Sequence, residues 1–120
     1  MILHLDDLEM GASRGGRIWL SIRETCFPEE GWYDLPGVLL ESWMLQLDSF
    51  FLGSTDSCEL GFMDGPYKVR LRRTEERTTV SCLDQKRIVV QDAQIDPDAF
   101  RNSVKKAVRY YERMKYLSKK

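Results

Sequence analysis

The stretch CELGFMDGPYKVRL, residues 58–71, alternates apolar and polar positions on both sides of Asp64-Gly65-Pro66. Cys58, Leu60 and Phe62 share one face of the first run, Tyr67, Val69 and Leu71 share one face of the second, and Glu59, Lys68, Arg70 and Arg72 fall between them. A period of two with one apolar face predicts a half-buried β-hairpin at the middle of an antiparallel sheet. Its turn belongs at 64–66, because Gly65 tolerates positive φ, Asp64 can bond a nearby backbone N–H, and Pro66 lacks the donor a strand interior needs.

Residues 2–12 open with Ile2, His4 and Asp6 alternating against Leu3, Leu5 and Asp7, and read as a strand. Ser13-Arg14-Gly15-Gly16 reads as a turn into a second strand, 17–25, with Ile18, Leu20 and Ile22 inward and Arg17, Trp19, Ser21 and Arg23 outward. Residues 26–33, CFPEEGWY, form a loop announced by Pro28 and Gly31. A helix follows at 35–52, with Asp34 as N-cap, Pro36 in the first turn, Gly53 at the stop, and Leu35, Leu39, Trp43, Leu47, Phe50 and Phe51 on a stripe widened by Val38, Leu40 and Met44. Beyond the hairpin come a charged turn at 73–77 and strands at 78–83 and 87–92, joined by 83–86, the second with Ile88 and Val90 on one face. Asp96-Pro97-Asp98 starts a last helix, whose stripe runs Phe100, Val104, Ala107, Val108, Tyr111, Met114. The order β-β-α-β-β-β-β-α predicts one α+β domain over residues 1–120: an antiparallel sheet of about six strands with two helices packed on one face.

Composition narrows the class more than the chemistry. Of 120 residues, 42% are hydrophobic and 31% charged, which fits a globular chain rather than a disordered or fibrous one. Cys26, Cys58 and Cys82 make an odd set without metal-ribbon spacing, and Cys58 and Cys82 fall on inward strand faces as small apolar residues. His4 is the only histidine, so a histidine cluster or a histidine-based triad within one chain is excluded. Asp64, Glu59 and Cys26 show no spacing that pairs a nucleophile with a base, and a noncatalytic chain without cofactor or metal is expected. The start, MILHLDD, lacks a basic n-region, and no run is long enough for a membrane span, so a cytoplasmic location is expected.

Charge is segregated behind a net value of −1. Residues 1–60 carry three basic residues against eleven acids, 61–100 carry seven of each, and 101–120 carry eight basic residues against Glu112 alone. Charged poles favour charged partners. Two surfaces are candidates. Glu29, Glu30, Trp32, Tyr33 and Asp34 put acids beside aromatics, the residue type that dominates interface hot spots. Alternatively Arg17, Trp19, Lys68, Arg70 and Arg72 form one basic outer face if their strands share a sheet, and that face or the last helix would bind nucleic acid. A homodimer covering the outer sheet face is a further expectation.

The F-P-x-x-x-W-Y-D segment (Phe27, Pro28, Trp32, Tyr33, Asp34), the helix bearing Trp43, the F-M-D-G-P-Y run from Phe62 to Tyr67 and the closing amphipathic helix resemble the small α+β bacterial immunity proteins of polymorphic and contact-dependent toxin systems. The resemblance implies a cytoplasmic antidote that binds one toxin domain and blocks its active site, with no catalysis of its own. The acidic first half suits a basic toxin; the basic last helix departs from a uniformly acidic inhibitor.

Overall fold

Alternation carries the strand segments into antiparallel ladders, and the computed structural model describes residues 1–9, 14–85 and 87–118. The elements are β1 (Ile2–Asp6), β2 (Gly16–Ile22), β3 (Thr25–Phe27), β4 (Tyr33–Asp34), α1 (Pro36–Phe51), β5 (Ser57–Gly61), β6 (Tyr67–Thr74), β7 (Arg77–Asp84), β8 (Arg87–Ile95) and α2 (Pro97–Ser118). The class is α+β, with two helices and antiparallel strands. The single sheet of about six strands is corrected to eight strands in two sheets among the described residues, β1-β2-β3 with β4 also on β2, and β5-β6-β7-β8. The physical reason lies in β2 and α1. β3 and β4 both pair with β2 and, with β1, leave it no free edge, while the strands after the 16-residue α1 are satisfied by their own hairpins. The backbone groups into two compact units, Met1–Val38 with the chain from Pro97 onward, and Leu39–Asp96.

In the first unit the inward row Ile18, Leu20 and Ile22 is buried, as its alternation requires. β3 and β4 arise inside the expected loop: Leu20 pairs with Phe27, and Arg17 with Tyr33. The expected strand 2–12 ends at Asp6, and Asp7 turns to φ 49°. Met10 and Ala12 of that strand, Ser13 of the following turn, Lys86 of the later turn and the closing Lys119-Lys120 lie outside the described residues. α2 begins at Pro97, where the Asp-Pro-Asp signal places it, and buries Phe100, Val104 and Ala107. It docks along β1: the Leu3 N–H donates to Ser103 Oγ (3.0 Å), whose hydroxyl donates to the Phe100 carbonyl (2.8 Å). Gly37 lets Tyr111 approach, since a Cβ there would lie 2.2 Å from the phenol oxygen.

In the second unit the hairpin forms as the alternation predicts, with Gly65 at φ 85° and the Phe62 N–H donating to the Tyr67 carbonyl (3.0 Å). It is not central, however, because β5 is an edge strand. The expected charged turn shortens to Glu75-Glu76 between two eight-residue strands. β8 runs on to Ile95 and carries register shifts that place Val90 opposite Cys82 and Ile88 opposite Leu83, so Ile88 and Val90 face opposite ways, contrary to simple alternation. α1 anchors on the hairpin. Trp43 is 1% exposed, its Nε1–H donates to the Gly61 carbonyl (2.8 Å), and its ring meets Phe62 edge-on at 5.2 Å. Arg73 donates to the Phe50 carbonyl and lies 4.3 Å from the Phe50 ring centre. The expected stripe is too wide: Leu35 precedes the helix, and Leu35 and Val38 are exposed.

Candidate functional site

The acidic aromatic segment is built onto β2 by short-range bonds. β3 turns back along β2 and buries Phe27, which anchors the start of the loop. The Trp32 N–H donates to the Glu29 carbonyl (3.2 Å), closing the tip into a turn, and the Ile18 N–H donates to the Trp32 carbonyl (2.8 Å), tying its return to β2. Glu29 and Glu30 are exposed at this tip.

The aromatics are fixed by polar partners. Trp32 Nε1–H donates to Asp34 Oδ2 (3.0 Å), while Asp34 Oδ1 accepts the Leu35 N–H (2.7 Å). Asp34 is 3% exposed, so its carboxylate serves the junction into α1 rather than the surface. Tyr33 is exposed, with the Arg17 guanidinium 5.2 Å from its ring centre; Arg17 Nη1 also donates to the Gly31 carbonyl (3.2 Å). The Tyr33 hydroxyl donates to Glu9, and that bond, with desolvation and the Glu9 charge, raises the phenol above its ordinary pKa against the opposing pull of Arg17. Of the five residues singled out, Glu29, Glu30 and Tyr33 face outward, Trp32 is half-buried and Asp34 is turned in.

The residues of the alternative basic face do not share a sheet. Arg17 and Trp19 lie on β2 of the first sheet, whereas Lys68, Arg70 and Arg72 lie on β6 of the second. Trp19 stacks on His4 (5.0 Å between ring centres, 14°), and His4 Nε2 bonds Ser21 Oγ (2.8 Å). Lys68 and Arg70 converge on Glu59, at 3.4 and 3.2 Å. Arg72 has no ion-pair or hydrogen-bond partner among the described residues.

Arg17 and Glu9 are the members of the loop's surroundings that sequence reasoning missed. Arg17 meets Tyr33 because β4 pairs with β2, while Glu9 lies beyond the end of β1 and reaches Tyr33 by a side-chain bond; local periodicity shows neither.

Groups that would carry chemistry stand on different elements. Glu59 stands on β5 and Asp64 in the hairpin turn, while Cys26 sits on β3 of the other sheet. Burial pushes the Cys58 thiol up to about 11 and the Cys82 thiol up to about 12, which keeps both protonated at neutral pH. Among the described residues no group of three or more histidine, cysteine, aspartate or glutamate side chains is arranged to hold a metal ion, and no helix is long and apolar enough to cross a membrane. No protein-family model, curated protein or solved structure matches the chain.

Proposed function

We propose that this chain is a noncatalytic protein-interaction domain whose docking loop is residues 29–33, with Asp34 fastening that loop from below. The observation that carries the proposal is the exposed pair Glu29 and Glu30 beside exposed Tyr33, on a segment already tied down by backbone and side-chain bonds. A preordered loop loses little conformational freedom on binding, and adjacent carboxylates select a basic partner surface. In its specific form, the domain is a cytoplasmic immunity protein that seats this loop on a toxin domain and blocks its active site.

The experiment is affinity capture of the tagged chain from its native lysate, with and without nuclease, beside the Glu29→Lys/Glu30→Lys double variant. One stoichiometric protein that survives nuclease and is lost with the double variant supports the reading. Retention of that protein by the double variant removes the loop from the interaction. A homodimer would instead appear as the doubled mass in light scattering.

A second reading is a nucleic-acid-binding module. It is favoured by Arg72 on the outer row of β6, whose side chain has no partner among the described residues, and by exposed Lys105, Lys106, Arg109 and Arg113 on α2. Nucleic acid that co-purifies and disappears with nuclease, with binding that falls steeply with salt and on Arg72→Gln, would put this reading first.

A further inference from the structure

Among the described residues β1 has only one strand neighbour, β2. Ile18 gives its N–H to Trp32, on the side of β2 away from β1, so the opposed pair Leu5–Ile18 exchanges no ladder bonds; by alternation the same holds for Leu3–Leu20. The backbone groups of Leu3 and Leu5 therefore face away from β2. Ser103 Oγ has already taken the Leu3 N–H on that side. The Leu3 carbonyl and both backbone groups of Leu5 have no partner among the described residues.

Those groups open into a groove of about 350 Å³. One wall is residues 2–5 of β1. The other is a single helical stripe, Ser103, Lys106, Ala107 and Tyr110, at the i, i+3, i+4, i+7 spacing of one α2 face. Lys106 has no carboxylate within ion-pair reach among the described residues, and Arg113 follows it two turns later on the same side. The groove thus combines three unpaired backbone groups, an apolar floor at Ala107 and a basic rim.

We propose that this groove binds an extended acidic segment of a partner protein, added to β1 as a further antiparallel strand. Leu5 exchanges two backbone hydrogen bonds with one peptide residue, the segment leaves β1 before Leu3, where Ser103 fills the edge, and its carboxylates meet Lys106 and Arg113. The nine-residue edge strand β8 is unsuited to this role, because its register shifts and Asp92 at φ 47° break the regular row of donors and acceptors that an added strand needs. The inference rests on the chain's being an interaction domain, but not on residues 29–34.

The test is isotope-edited NMR on the full chain with a capped octapeptide of alternating valine and glutamate. Two charge-matched versions are N-methylated at alternate amides, one set for each edge of the strand, and a lysine-for-glutamate version reverses the charge. The expected result is amide shifts at Leu3, Leu5, Ser103 and Lys106, with slowed hydrogen exchange at Leu5. At least one methylated version should bind about tenfold more weakly, because methylation removes a backbone bond and leaves its partner group unpaired. Lys106→Glu, on an exposed helix position, should weaken the acidic peptide about fivefold, and the lysine peptide should not bind. The proposal is overturned if the acidic peptide causes no shifts at these residues at millimolar concentration, if both methylated versions bind as well as the parent, or if shifts fall only on residues 29–33. The Glu29→Lys/Glu30→Lys variant should bind the peptide unchanged, so a failure of this groove and a failure of the loop proposal are told apart.

Discussion

In the second sheet the inward row is unbroken across three strands: Cys58 and Leu60 on β5, Val69 and Leu71 on β6, Thr78, Val80 and Cys82 on β7. The first sheet has shorter strands, and only β2 carries three buried aliphatic residues. Its ends are secured by single polar bonds: Asp34 to the Trp32 ring nitrogen and the Leu35 N–H, Ser103 to the Leu3 N–H, and His4 to Ser21. The difference is one of cooperativity. A continuous apolar row spreads stabilisation over many contacts, whereas a small sheet held by isolated bonds concentrates it in a few replaceable atoms and leaves edge groups, such as those of Leu5, available for binding.

The sharpest way to break the comparison is to empty the row. Trp43→Ala removes the ring that packs on Phe62 and bonds Gly61, and should cost about 3–5 kcal/mol in urea unfolding. Hydrogen exchange should show the loss first in the β5–β6 amides; a loss that begins instead in β1–β4 would contradict the contrast. In the first sheet, Asp34→Ala leaves the indole N–H and the Leu35 N–H without their acceptor, and should cost about 1–3 kcal/mol, with Asp34→Asn recovering part of it. A cost below the error of the unfolding curve would mean that the sheet does not lean on that bond.

Alkaline pH should weaken the second sheet through its thiols. Cys58 and Cys82 have folded pKa values raised to about 11 and about 12 from 9.0, so between these limits the folded chain holds more protons than the unfolded one. Their contribution is complete below pH 9 and is lost as pH rises through the folded values. Cys82→Ala should flatten the decline of stability above pH 9, and an unchanged slope would locate the decline elsewhere. The smallest effect belongs to the exposed cluster on the outer face of the same sheet. Glu59→Gln leaves Lys68 and Arg70 in water, and should change stability by less than about 0.5 kcal/mol and by less still in high salt.

How much was legible follows the same divide. The hairpin around Gly65 and the start of α2 at Pro97 were readable because both are local: a turn residue with positive φ and a capped helix start act over a few positions. The pairing of residues 25–27 and 33–34 with β2 was not, since two- and three-residue strands have too few positions to show a period. Ile88 and Val90 were put on one face because alternation has no means of marking a bulge. Composition marks the candidate loop, yet it sets Asp34 beside Glu29 and Glu30, and only burial separates them.

From its sequence alone this chain is α+β, with inward rows on its longer strands, two helices with apolar stripes, and charge segregated toward its two ends. These properties depend on neighbours a few residues apart. The tertiary structure alone decided that the strands divide between two sheets, that Arg17 joins Tyr33 rather than Arg70, and that β1 keeps an open edge beside α2. Each is a pairing between distant segments, settled by which edges other strands have already filled and by where a helix lies, and periodicity within a single segment carries no information about either.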